Sequence, residues 1–236
     1  MNKLSNLQKY ISLLLKAVVV ISACTGTLIS YLAGRDSFMG GRAVFMYFTI
    51  QSNIAIAIIC AIGFVFLVKD KEIFKAWYAV KFVGTVAITL TGLVFGLVLA
   101  PALGADAWNV QNTLTHLVVP VAAVVDFFVT CTANEIRKRN VLLVTIPPIL
   151  YAVYAGIGYV KGWQFAAGYN YPYFFLNWGS KAGAFGFTNE LPFMGTAWWI
   201  LLLLIVLIAV GYGYLALADI IRKKCEGLLC QSQGRN

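Results

Sequence analysis

Six apolar runs, each long enough to cross a hydrocarbon core, set the limits on what this chain can fold into. A membrane helix needs about 20 mostly apolar residues. The runs cover Tyr10–Ala33, Val44–Val68, Val80–Ala100, Asn109–Thr132, Val141–Val160 and Thr196–Ile220. Lipid offers no partner to backbone N–H and C=O groups, so each run is expected to be a helix bonded within itself. A membrane barrel would instead show alternating segments of about 10 residues. With 61% hydrophobic and 11% charged residues over 236 positions, a soluble domain is excluded. The expectation is an all-α polytopic membrane protein. A single domain, residues 1–236, would hold all six helices, with no internal repeat.

The net charge of +9 raises a nucleic-acid reading, but the basic residues flank spans instead of lining one face, so no nucleic-acid partner is expected. One set of ends carries Lys3, Lys9, Lys69, Lys71, Lys75, Arg137, Lys138, Arg139, Arg222, Lys223, Lys224 and Arg235. Lys16 and Lys81 lie just inside spans and can snorkel to that side. The opposite side has Arg35, Arg42, Lys161 and Lys181. Fourteen against four predicts both termini in the cytoplasm, with the tail 221–236 there and loop 161–195 outside. The expected location is the cell membrane.

Lys3 and Lys9 ahead of an apolar run ending Ile21-Ser22-Ala23-Cys24 imitate a lipoprotein leader. The run continues through Thr25 to Leu32, too far for a short leader core, and is read as a full span. Cysteine chemistry adds nothing to the function. Cys24 and Cys60 lie within spans, Cys131 near a span end, and Cys225 and Cys230 form a lone pair in the tail. Two thiols and one distant histidine cannot complete a tetrahedral zinc site. One histidine cannot supply paired haem ligands either. No metal and no cofactor is expected.

His116, the only histidine, sits in the fourth run, four residues before Pro120. Proline has no N–H, so the carbonyl of residue 116 loses its helical partner and the helix can kink. Ionisable groups in a bilayer are costly and mark function by default; a histidine that merely bonds a neighbouring helix is the bland alternative. The second run opens Tyr47-Phe48-Thr49-Ile50-Gln51-Ser52-Asn53. Thr49, Ser52 and Asn53 recur at helical spacing on one face. Both runs enter from the outer side, with Thr49 roughly 8 Å and His116 roughly 10 Å below their starts at helical rise. Depth alone therefore matches a hydroxyl to an imidazole, the minimal nucleophile and base for acyl transfer. Asn53, Asn112 or Asn177 could steady an oxyanion. Asp126 lies about 15 Å deeper than His116 and is expected to pair with Lys81 or Lys16. Thr85, Thr89 and Thr91 read as packing groups, and Pro147-Pro148 as a kink in the fifth run.

Loop 161–195 is dense in aromatics, from Trp163 and Phe165 through Tyr169–Trp178 to Phe193. Aromatics concentrate at membrane interfaces and long loops act as lids. A partly re-entrant cap over the outer end is expected. Trp178 is a further candidate for contact with substrate.

Several of these features occur together in one known family. They are six spans, Phe48-Thr49-Ile50-Gln51-Ser52-Asn53 opening the second, one histidine followed by proline in the fourth, and Tyr171-Pro172-Tyr173-Phe174-Phe175-Leu176-Asn177-Trp178 before the sixth. In these the chain resembles the androgen-induced protein and androgen-dependent TFPI-regulating protein family, in its bacterial branch. The resemblance covers most of the chain through short motifs. It implies a six-span threonine hydrolase of fatty acid esters of hydroxy fatty acids, with Thr49 as nucleophile and His116 as base. The expected function is hydrolysis of a lipid-like acyl ester, with membrane lipids and a fatty-acyl ester substrate as partners. The alternative is a small-solute or lipid transporter or binding protein, built around the same polar cluster.

Overall fold

The computed structural model describes residues 4–33, 41–71, 74–130 and 136–233. Lys3, Arg35, Cys131 and Arg235 lie outside the described residues, as do the side chains of Lys224, Cys225 and Cys230. Among the described residues, six helices are long and apolar enough to cross a membrane, and no strand occurs. They are α1 (Asn6–Leu32), α2 (Phe48–Val68), α3 (Lys75–Leu103), α4 (Val110–Val129), α5 (Lys138–Val160) and the spanning part of α6 (Thr196–Lys223). Ser5 starts α1 with a capping box, its hydroxyl accepting from the Gln8 N–H while the Gln8 side chain answers.

Helices α1 to α4 form a closed ring in which each packs on the next and α4 returns to α1. Its centre is Val19, Ala23, Ile56, Ala57, Cys60, Ile88, Val119, Ala122 and Ala123. Small residues there let the backbones approach, as packing in lipid demands. Helices α5 and α6 attach on the far side of α3, through Phe82, Val86, Phe127, Val141, Val144 and Leu207. The outer surface is apolar, with Leu14, Leu97, Leu150 and Val160 between 64% and 84% exposed. That inside-out pattern suits lipid as the solvent.

Three spans are not regular. Helix α3 passes through a π-helical stretch, Phe95–Leu99, and α4 through another, Leu114–Val118. Helix α5 begins as a 3-10 stretch, Lys138–Thr145, and becomes α-helical at Ile146. Pro147 and Pro148 thus occupy the first α-helical turn, where missing N–H groups cost nothing, rather than kinking a continuous helix.

Loop 161–195 divides in two. Its first half sends Phe165, Phe175 and Leu176 into the protein, where Phe175 and Leu176 pack against Tyr151 and Ala155 of α5. The second half leaves Phe185, Phe187, Leu191 and Phe193 exposed.

Two polar sites inside the bundle

At the end nearer the N-terminus, Asp126 of α4 is fully buried between two lysines. Lys16 Nζ lies 2.6 Å from Oδ1 and 2.7 Å from Oδ2, and Lys81 Nζ lies 2.6 Å from Oδ2. Ser12 donates to Oδ1 at 2.6 Å. Lys16 donates further to Ser12 Oγ, and Lys81 to Thr130 Oγ1 and the Asp126 carbonyl. The sequence expectation of one lysine is met by both. Each ammonium has three acceptors, so the cluster is closed.

The Thr49 site lies at the other end, under the loop. Thr49, Ser52 and Asn53 are all buried on one face of α2, as their spacing predicts. Ser52 Oγ and Asn53 Nδ2 both donate to the Thr49 carbonyl, at 3.0 and 2.8 Å. Ser52 also shares a 2.7 Å bond with Thr91 of α3. Helix α2 has no side-chain cap at Tyr47, so its first N–H groups need outside partners. The Thr49 N–H finds one in the Tyr173 phenol at 3.3 Å, and the same oxygen lies 3.4 Å from Thr49 Oγ1. Tyr173 comes from the loop, with its phenol held above the ordinary tyrosine value by burial.

His116 sits inside the π-helical stretch of α4. The Val119 N–H reaches back five residues to the Leu114 carbonyl, and Pro120 has no N–H to give. The Thr115 carbonyl is thereby left without a helical donor. Asn53 Nδ2 supplies one across the helix gap, at 3.1 Å. One amide therefore ties the carbonyl of Thr49 to that of the residue preceding His116. The His116 carbonyl faces Gly92 of α3, where an added Cβ would stand 2.9 Å away. His116 Nδ1 lies 3.1 Å from the Asn112 carbonyl and 3.0 Å from Thr115 Oγ1. A carbonyl only accepts, so Nδ1 carries the proton and Nε2 the lone pair. Among the described residues Nε2 has no hydrogen-bond partner.

Thr49 and His116 are not hydrogen-bonded to one another. Thr49 lines a cavity of about 50 Å³ with Thr91, Val94, Phe95, Tyr151, Tyr173 and Phe175. That volume holds a few waters. Phe95, from the π-helical stretch of α3, also stacks on the His116 ring, at 3.9 Å between centroids and 21° between planes. A single aromatic ring thus touches both the imidazole and the hydroxyl's cavity.

Of the other sequence candidates, Asn53 alone contacts Thr49. Asn112 reaches the site through its backbone carbonyl, while its side chain donates to the Ala107 carbonyl. Asn177 folds back onto the Gly179 N–H, and the Trp178 indole packs near Gly156 of α5. Neither lines the cavity. Two residues escaped the sequence reading, Phe95 and Tyr173. Tyr173 lies in the quoted aromatic motif, whereas nothing local marks Phe95. Comparison with family models, curated proteins and solved structures finds no match.

Proposed function

We propose that this protein is an intramembrane hydrolase of lipid-like acyl esters, with Thr49 as nucleophile and His116 as general base. The observation that carries the proposal is the Phe95 ring, which stacks on His116 and walls the cavity holding the Thr49 hydroxyl. The Phe95 ring stands between the cavity and the base, and the tautomer set by Asn112 presents Nε2 as the proton acceptor. When Phe95 swings aside, the imidazole or a water on it takes the Thr49 proton. The apolar cavity wall suits an acyl chain arriving from lipid. The fourteen-to-four charge count adds that this end of the bundle faces out of the cytoplasm, in the cell membrane. The motif resemblance to the threonine hydrolase family points the same way.

A binding or transport role is the second reading. It is favoured by one fact, that the Thr49 hydroxyl is bonded to Tyr173 and not to an imidazole.

The test is covalent labelling with a lipid-tailed fluorophosphonate, read by intact mass and peptide mapping. Wild type should carry the adduct on Thr49, and Thr49→Ala should carry none. Thr49→Ser should retain part of it. His116→Ala should slow labelling by about 10²- to 10⁴-fold, the usual worth of a positioned base. An adduct on another residue, or one on Thr49 indifferent to His116, returns the binding reading to first place.

A further inference from the structure

We propose that Tyr173 is a third catalytic residue, whose phenolic O–H donates to the ester's carbonyl oxygen as Thr49 attacks. The proposal rests on the hydrolase reading above and adds to it the group that receives the developing charge.

Geometry singles out Tyr173. Its oxygen is 3.4 Å from Thr49 Oγ1 and 3.3 Å from the Thr49 N–H, and it stands on the wall of the cavity. An oxygen forming beside an attacked carbonyl carbon lies close to both the nucleophile and the nucleophile's own N–H. A donor already placed beside both is aimed at the transition state more than at the ground state. The phenol is also held rigidly. Its ring stacks on Phe175 at 5.0 Å and 4° and meets Tyr47 edge-on at 5.7 Å. The phenol oxygen accepts the Thr49 N–H and also hydrogen-bonds the Tyr151 phenol, so its proton turns to the substrate in exchange for that phenol contact. No other O–H lies in contact with Thr49 Oγ1 among the described residues.

Thr49 Oγ1 bonds to the acyl carbon while its proton passes to His116 Nε2. The carbonyl π pair moves onto oxygen, facing the Tyr173 O–H. Collapse expels the alcohol, which takes the proton from His116. A water then repeats the sequence and frees the acid and Thr49. Tyr173 keeps its proton throughout, as burial of its phenol favours.

The experiment uses the full chain in detergent micelles with p-nitrophenyl laurate. Tyr173→Phe keeps the ring and removes the donor. Its kcat should fall by about 100-fold or more, as for loss of one oxyanion donor, with KM changed by under about threefold. Tyr47→Phe removes a hydroxyl from the same aromatic cluster, one that donates to the Phe165 carbonyl. It should lower thermal stability and leave kcat within about threefold. If Tyr173→Phe fails to fold, 3,5-difluorotyrosine placed at 173 gives a second measurement. Its more acidic phenol should move the alkaline limb of kcat to lower pH, because the protonated form is the active one.

A Tyr173→Phe protein with wild-type kcat, while Thr49→Ala is inactive, overturns the role of Tyr173 and leaves the hydrolase reading standing. So does an alkaline limb unmoved by the fluorinated residue. Hydrolysis that survives Thr49→Ala, or none by wild type, overturns the hydrolase reading itself and this proposal with it.

Discussion

The two polar sites differ in how completely they are closed. Around Asp126, each ammonium proton and both carboxylate oxygens meet a partner within 3.3 Å. Around Thr49 there are loose ends. Among the described residues Asn53 Oδ1 is buried with no partner and Nε2 of His116 makes no hydrogen bond, while the Thr49 hydroxyl opens on a cavity. Leaving a buried polar group unpaired costs about 1–3 kcal/mol, and a bound partner is one way to recover it. The closed site pins α1, α3 and α4 together. The open one has capacity left for a substrate.

The sharpest way to break this contrast is to unbalance the closed site. Asp126→Asn leaves two ammonium groups facing each other without a counter-charge and should cost about 3–5 kcal/mol. Lys81→Met leaves Lys16 and Ser12 on the carboxylate, a one-to-one pair, and should cost far less. Thermal unfolding in detergent micelles ranks the two against Thr49→Ala, which should lie within about 1 kcal/mol of wild type. If Asp126→Asn proves as mild as Thr49→Ala, the charged cluster is not what holds the helices.

Glycine gives a second, smaller comparison, because each site has one that a side chain would foul. A Cβ at Gly63 meets the Lys16 stem at 2.9 Å, and one at Gly92 meets the His116 carbonyl oxygen at 2.9 Å. The first obstacle is a side chain that can shift and the second is backbone. Gly63→Ala should therefore cost about 1–3 kcal/mol of stability, as overpacking does, and little activity. Combining it with Lys16→Ala should remove most of its own increment, since the obstructing atoms are gone. Gly92→Ala should push the π-helical stretch of α4 and lose ester hydrolysis out of proportion to stability. Equal loss of activity from the two alanines would mean that the sites are coupled through the bundle.

Much of this was legible in the sequence because it depends on local composition. Hydropathy alone finds six spans, and their ends differ from those in the structure by a few residues; Val44 falls within a short 3-10 stretch, Gly41–Met46, ahead of α2. Helical spacing puts Thr49, Ser52 and Asn53 on one face, and cost in lipid demands a partner for Asp126. What was hidden depends on contacts across the chain. Tyr173 meets Thr49 from 124 positions away, and periodicity carries no information at that range. Proline 120 announces a disturbed helix, but a π-helical stretch and a kink leave the same mark in sequence. Asn53 reads as an oxyanion donor, while in the fold both amide protons are spent on carbonyls. Trp178 and Phe175 read alike as lid aromatics, and only the fold separates them.

That last separation yields the smallest expected effect. Phe175 lines the cavity beside Thr49, buried and stacked on Tyr173, whereas Trp178 packs toward Gly156 and is not among the cavity's lining residues. Burying a large apolar side chain against a ligand is worth roughly 1.5–3 kcal/mol. Phe175→Ala should then raise KM by about tenfold for a long-chain nitrophenyl ester, whose acyl chain runs against this ring as it enters the cavity. For the acetate, which reaches only the reacting atoms, KM should change by under about twofold. The chain-length ratio matters more than either value, because a disturbed Tyr173 would lower kcat for both esters alike. Trp178→Ala should leave the ratio as in wild type. If Trp178→Ala shifts it as much as Phe175→Ala does, the acyl chain runs along the loop surface instead of through the cavity. The open site would then extend well beyond Thr49.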